Sequence, residues 1–346
     1  MRGMNDETFR RLLLEWYDAH ARELPWRESR DPYRVWVSEI MLQQTRVVAV
    51  IAHYHEFLRR FPTVRKLAAA REASVLAAWS GLGYYRRARM MHAAAKVIAR
   101  ELGGKFPSTA AAWRKLPGIG RYTSAAIASI AFDEPVAAVD GNVERVLARV
   151  GGQRLAGETL WAAAEAMLDR GRPGDFNQAM MELGATVCTP RGPTCLTCPV
   201  IELCATRGEI AGGVKAARQK KKEIHYALDF QSKGGRDGSV FLVQRARNAS
   251  LMAGMWELPE IVPRAREKQV SRSARNDKAE VRALLFTARH SITVTDYTVR
   301  VWSSAAPAGV RGEWVAMERL GRIALTGLAR KILRKAEIMS EAPLKG

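Results

Sequence analysis

The chain has four cysteines, Cys188, Cys195, Cys198 and Cys204, and all fall within 17 residues as C-x6-C-x2-C-x5-C. That window constrains the rest. Disulfide frameworks staple small secreted domains, whereas this chain has 346 residues and no cysteine elsewhere. Four thiolates can instead close a tetrahedral zinc site or hold a cubane iron–sulfur cluster. Zinc ribbons usually set two C-x2-C knuckles well apart, and here there is one such pair. The spacing winds a short loop around one large object and favours a [4Fe–4S] cluster over zinc.

The texture changes at this window. Up to Cys204 it is helical: Phe9 to His20, Tyr33 to Phe61, Glu72 to Trp79, Met90 to Leu102 and Thr159 to Arg170 are rich in Ala, Leu, Arg and Glu. Leu24-Pro25-Trp26, Phe61-Pro62, Gly81-Leu82-Gly83 and Gly103-Gly104 punctuate it. Residues 205–222, ending in Arg218-Gln219-Lys220-Lys221-Lys222, read as a basic linker. Beyond it, Tyr226 to Gln231, Val240 to Arg245, Ser291 to Trp302 and Glu313 to Ala316 read as strands, with a closing helix near Ala329 to Ile338. The expectation is an all-α domain over 1–204, the linker, and a smaller α+β domain over 223–346.

Net charge narrows the partner. Lys and Arg number 55 against 35 Asp and Glu, a formal +20, and 26 of the basic but only 13 of the acidic residues follow residue 210. Such an excess disfavours an enzyme for cationic substrates and points to a polyanion, most simply nucleic acid. No apolar run reaches the ~20 residues a bilayer span needs. The first residues lack the pattern of a signal peptide, so a cytoplasmic location without a membrane partner is expected.

Leu116-Pro117-Gly118-Ile119-Gly120 lies between two helical segments. Gly118 and Gly120 let backbone approach a neighbour, and the helix that follows offers unpaired N–H groups to a phosphate without reading sequence. Leu-Pro-Gly-Ile-Gly-x-x-Thr at a helix junction of a basic protein is the helix-hairpin-helix DNA-binding motif.

Two acids flank that hairpin. Asp140 stands where an N-cap would, before Gly141-Asn142. Glu39 lies in an otherwise apolar helix, one turn from Gln43. A carboxyl in apolar surroundings has a raised pKa and can deliver a proton, while a second carboxylate held by backbone N–H groups can stabilise a cation. That division of labour suits cleavage of a glycosidic bond through an oxocarbenium-like state.

Together these motifs resemble the helix-hairpin-helix DNA glycosylase superfamily with an iron–sulfur loop, and within it the MutY-type adenine DNA glycosylases. The match is carried by Leu24-Pro25-Trp26-Arg27, Trp36 to Thr45, Gly81 to Arg89, Leu116 to Thr123, Val139 to Val143, Asn177 to Gly184 and the four cysteines. The resemblance implies that Glu39 protonates adenine at N7 and later handles water. It implies that Asp140 stabilises or traps the sugar cation, with Tyr122 and Asn142 in support. Leu42, Gln44 and Tyr84 would wedge into the base stack. Arg22, Trp26, Arg27 and Glu182 would line the adenine pocket, and Arg86 would belong to the DNA-contacting surface. The four cysteines would bind the [4Fe–4S] cluster.

The second domain resembles the family's Nudix-like recognition domain through Ala253 to Pro259 and Arg289 to Thr293. No R-E-x-x-E-E cluster follows Pro259, so nucleoside diphosphate hydrolysis is not expected. Ile292-Thr293-Val294 stands where the family commonly has Phe-Ser-His, leaving the Thr293 hydroxyl as a contact. The implied substrate is double-stranded DNA with adenine opposite 8-oxoguanine or guanine, and the implied protein is a monomer at the bacterial nucleoid. An endonuclease III-like glycosylase/lyase is the nearest enzymatic rival, but it needs a lysine where Tyr122 stands. A mismatch-thymine glycosylase would lack Glu39 and the second domain. A non-enzymatic iron–sulfur DNA-binding or redox sensor leaves both carboxylates unexplained.

Overall fold

The computed structural model describes residues 6–208, 220–232, 238–249, 251–261, 283–292 and 295–339. Its helices are α1 (Asp6–His20), α2 (Pro32–Leu42), α3 (Val47–Arg60), α4 (Val64–Ala69), α5 (Glu72–Ala78), α6 (Arg86–Arg100), α7 (Ala110–Trp113), α8 (Arg121–Phe132), α9 (Gly141–Val150), α10 (Gly157–Met167), α11 (Pro173–Thr186) and α12 (Gly327–Lys335). Its strands are β1 (Lys220–Leu228), β2 (Phe230–Ser232), β3 (Gly238–Gln244), β4 (Trp256–Glu257), β5 (Ala283–Ile292), β6 (Thr295–Ser303) and β7 (Glu313–Ala316). The chain divides into two compact units, Met1–Ala70 with Arg87–Val214, and Arg71–Arg86 with Lys215–Gly346.

The first unit is helical throughout its described residues, as expected. α8 is its hub. Thr123 to Ile130 are all buried, and the run is mostly Ala, Ser and Ile. Small side chains let neighbours come close: a Cβ on Gly174 of α11 would stand 2.6 Å from the Ser129 carbonyl oxygen. α2 and α11 both pack on α8, and α9 packs on α11. Phe9, Leu13 and Tyr17 of α1 recur every four residues and bury against α9, α10 and α11. Buried Asn177 ties the layers together. Its Oδ1 accepts from Ala138 N at 2.9 Å, and its Nδ2 donates to Ser129 Oγ and the Val136 carbonyl, each at 2.9 Å. That fixes the extended segment leading to Asp140.

The helical texture over Tyr33 to Phe61 breaks in two, with α2 ending at Leu42 and α3 starting at Val47. Gln43, one turn on from Glu39, is therefore the C-cap of α2 and not part of a continuing helix. Gln44 sits in the left-handed region at φ 55°, which a continuous helix forbids.

The second unit is α+β, as expected. β6 lies between β1, to which it is parallel, and β5, to which it is antiparallel. β2, β4 and β7 each pair antiparallel with β3. Leu328, Ile332 and Leu333 of α12 close the core over Val240, Leu242, Val299 and Val301. The single strand expected over Ser291 to Trp302 is instead the end of β5 and most of β6, antiparallel to one another.

Two boundaries differ from expectation. β1 begins at Lys220, inside the expected 205–222 linker, because Lys220 to Lys222 pair with Thr295 to Tyr297 through backbone bonds that need no apolar side chain. Residues 71–86 were expected in the helical domain, yet they group with the second unit. Within that unit Ser80 Oγ donates to the Leu325 carbonyl at 2.9 Å and Tyr85 OH to the same oxygen at 3.2 Å. Arg330 Nε donates to Ser80 Oγ at 3.0 Å, and α5 packs on the short 3-10 helix Met317–Arg322. Two buried hydroxyls find their acceptor there, and leaving them unpaired would be costly.

Candidate active site

In the first unit a cavity of about 580 Å³ is lined by residues of five helices, α2, α3, α8, α9 and α11, and of the loops beside them. Glu39 enters from α2 and Tyr122 from the first turn of α8. Asp140 and Asn142 come from the start of α9, and Glu182 from α11. Leu42, Gln44, Arg22, Trp26 and Arg27 complete the set. Ten of the expected residues thus meet in one chamber, although the chain separates the outermost by 160 positions.

Glu39 is 6% exposed, and Tyr122 OH donates to its Oε2 at 2.8 Å. Burial pushes the Glu39 carboxyl up to about 7; the nearby Asp140 charge adds to this, while the Tyr122 hydrogen bond and Arg27 oppose it. Burial and the Glu39 charge hold the Tyr122 phenol well above its ordinary range, so it acts as a neutral donor. Gln43 lines the same cavity as Glu39, and its Nε2 donates to Thr123 Oγ1 at 3.1 Å.

Asp140 is the N-cap of α9, as its position suggested. Its Oδ1 accepts from Asn142 N at 2.9 Å and Val143 N at 2.8 Å, and its Oδ2 from Asn142 Nδ2 at 2.8 Å. Capping leaves the carboxylate at the positive end of the helix and on the cavity wall. Asn142 is held in turn, since its Oδ1 accepts from Arg145 Nη2 at 2.7 Å. Arg145 also donates to the Gly184 carbonyl at 2.6 Å and, through Nε, to the Cys188 carbonyl at 2.7 Å. Gly184 is required there, because a Cβ would stand 2.6 Å from Asn142 Cβ.

On the far wall Glu182, 1% exposed, accepts from Arg22 Nε at 2.5 Å, Arg22 Nη2 at 2.8 Å and Arg27 Nη2 at 2.8 Å. Burial pushes its carboxyl up, but the Arg22 and Arg27 guanidiniums outweigh that and hold it below the usual range. Arg27 Nε donates to Gln178 Oε1 at 3.2 Å. Trp26 both lines the cavity and packs edge-on against Tyr54, with ring centroids 5.5 Å apart. Sequence reasoning missed Gln178 and Met181 as cavity residues. The signal available was helical spacing, because Gln178 lies four positions before Glu182 on α11.

Gly118 sits at φ 75°, and a Cβ there would collide with Met90 Cβ. Gly120 caps α8 without a side-chain hydrogen bond, leaving first-turn N–H groups open as a phosphate contact requires. Tyr84, at φ 46°, and Arg86 belong to the second unit, not to the cavity lining. Thr293 and Val294 lie outside the described residues.

All four cysteines line a second, smaller cavity with Val146, Val150, Leu183, Val187 and Val200 around them. Arg149 Nη1 lies 3.4 Å from Cys188 Sγ and donates to the Thr189 carbonyl at 2.8 Å, pinning the start of the loop. Burial pushes the Cys198 thiol up to about 11. Among the described residues no group of three or more His, Cys, Asp or Glu is arranged to hold a single metal ion. Four sulfur donors around one apolar chamber, with a guanidinium beside them, fit a multi-iron thiolate cluster. Among the described residues no helix is long and apolar enough to cross a membrane.

Residues 37–159 match the family model of the HhH-GPD superfamily base excision DNA repair protein. An adenine DNA glycosylase of Rattus norvegicus is 40% identical over 312 residues, covering 73% of this chain and 60% of that protein. The chain thus spans less than two thirds of that relative's length. The solved structure of a thermostable thymine-DNA glycosylase is 30% identical with a TM-score of 0.56, covering 58% of this chain and 96% of that one. An adenine DNA glycosylase of Mus musculus is 36% identical over 413 residues, covering 98% of this chain and 80% of that protein. By that likeness and the helix-hairpin-helix match, the chain belongs to the adenine DNA glycosylase family of the HhH-GPD superfamily.

Proposed function

We propose that this chain removes adenine mispaired with 8-oxoguanine or guanine from double-stranded DNA by hydrolysing its N-glycosidic bond. The observation that carries the reading is the pairing in one cavity of a buried carboxyl raised to about 7 with an N-cap carboxylate. The target base must leave the stack to reach such a chamber. Glu39, protonated near neutral pH, gives its proton to adenine N7, so the base leaves neutral. Asp140 faces the developing oxocarbenium ion and stabilises it or bonds to it. The Glu39 carboxylate then takes a proton from the incoming water. Tyr122 orients Glu39, and Asn142 orients Asp140. Arg22, Arg27, Trp26 and Glu182 hold the flipped purine. The residue after Gly-x-Gly-Arg is Tyr122, which has no amine for a Schiff base, so the enzyme is largely monofunctional.

Cys188, Cys195, Cys198 and Cys204 are the residues that would hold a [4Fe–4S] cluster. When bound, it supplies a cross-link closing the loop that follows α11. The α+β unit, Nudix-like by its Ala253 to Pro259 motif, reads the base opposite adenine, with Thr293 and Tyr84 in contact with DNA. Gly118, Gly120 and Arg86 bind phosphate. The protein acts as a monomer on chromosomal DNA in the cytoplasm. The test is single-turnover release of adenine, read as alkali-dependent strand cleavage on duplexes with A:8-oxoguanine, A:G and A:T. Cleavage of the first two supports the reading. No cleavage of either, or cleavage at thymine or at oxidised pyrimidines instead, overturns it.

A further inference from the structure

A single guanidinium holds the turn at the rim of the catalytic cavity. Arg87 Nη1 donates to the Ile40 carbonyl at 2.8 Å, to the Met41 carbonyl at 3.0 Å and to the Gln43 carbonyl, and Nη2 donates to Thr45 Oγ1 at 3.2 Å. The last carbonyls of α2 have no helical donor of their own, and Arg87 serves as their cap. Inside this clasp Gln44 is left-handed at φ 55°, a conformation that costs a residue with a Cβ and persists where its surroundings impose it. The Gln44 side chain is exposed, Leu42 and Gln44 both line the cavity, and Val48, 85% exposed, follows at the start of α3. A strained turn with an exposed apolar neighbour stands at the mouth of the chamber that holds Glu39.

We infer that Arg87 is a positioning residue for base extrusion: its four-acceptor clasp fixes the Leu42–Gln44 turn in the shape that fills the stack as adenine leaves it. The inference rests on the reading that the cavity takes a flipped adenine. The fork lets Nη2 reach Thr45 while Nη1 serves the three carbonyls; a lysine ammonium is a single nitrogen with a different reach and cannot span both. Tyr122 donates to the Glu39 side chain and Asn142 and Val143 to that of Asp140, and these bonds survive the loss of Arg87, so the chemical step stays in place while extrusion weakens.

The test compares two A:8-oxoguanine duplexes, one with paired flanks and one with mismatched pairs on both sides of the target, where extrusion costs less. Arg87→Lys should slow single-turnover adenine release about ten-fold or more with paired flanks and by less than about three-fold with mismatched flanks. A misfolded fraction lowers the burst amplitude on both duplexes and leaves both rates, so the ratio of rates reads positioning alone. Arg87→Met, which keeps the apolar stem, should behave like Arg87→Lys. Equal slowing on both duplexes, or no slowing, overturns the inference. Wild-type protein that releases adenine from neither duplex overturns the reading beneath it.

Discussion

Tyr122 donates its phenolic O–H to Glu39 Oε2 across 2.8 Å, so a buried carboxyl with a pKa of about 7 is held by a group that stays neutral. The bond orients Glu39 and also limits the rise of its pKa, since burial alone would push the carboxyl higher.

Glu39→Gln separates chemistry from folding. A positioned general acid contributes roughly 10²–10⁴-fold, so adenine release should fall by about that much while DNA binding persists. The Glu39 carboxyl is raised in the folded chain. Its favourable contribution is complete below the ordinary carboxyl range and is lost as pH rises toward about 7. Glutamine does not titrate, so Glu39→Gln should be more stable than wild type at pH 8, by about 3 kcal/mol at most, and nearly equal to it at pH 4. Urea unfolding at the two pH values checks this, and an equal difference at both would count against a raised Glu39.

Tyr122→Phe should shift the pH–rate profile. On the proposed mechanism release needs protonated Glu39, so the wild-type rate should fall as pH rises above about 7. Removing the hydroxyl removes a bond that lowers the Glu39 pKa, so the alkaline limb should move upward. An unmoved limb, at whatever absolute rate, would mean another group sets it.

Asp140→Asn tests whether Asp140 is more than a cap. Asparagine caps helices about as well as aspartate, so stability should change by less than about 0.5 kcal/mol. On the proposed mechanism Asp140 faces the sugar cation, and losing its charge should lower single-turnover release about a hundred-fold or more. Near-wild-type release with intact stability would leave Asp140 as a cap alone.

Arg145→Met should act at a distance from the chamber. It removes the donors to Asn142 Oδ1 and to the Gly184 and Cys188 carbonyls, and so frees the side chain that aligns Asp140. Release should fall about ten-fold or more, as expected for losing charge-assisted bonds. Iron per chain should stay at the wild-type value, because the four cysteines are untouched. Iron lost in proportion to activity would make Arg145 a residue of the loop rather than of the site.

Iron itself can be counted. Anaerobically purified protein should carry about four irons per chain with broad absorbance near ~400 nm, and Cys198→Ser should lose both. Stoichiometric zinc without iron would refute the cluster.

Much of the catalytic unit was legible in sequence because its signals are local. The cysteine spacing, the Leu116 to Thr123 hairpin, an N-cap aspartate and a lone carboxyl in an apolar helix each depend on residues within a few positions of one another. Even so, locality fell short at the end of α2: the helical texture ran on to Phe61, but α2 ends at Leu42 and the Gln43 amide finds its partner at Thr123 of α8. Only the tertiary structure brought Glu182 to Arg22 and Arg27, because that triad depends on how α11 packs in the unit and not on any periodicity. The same holds for Arg87, whose sequence reads as one more basic residue on a helix and whose guanidinium caps α2. It holds again for residues 71–86, which sit in the helical half of the sequence but find the acceptor for Ser80 and Tyr85 at Leu325. Caps and helix faces are written in neighbours, whereas a buried donor's partner is wherever packing brings an acceptor within 3 Å or so.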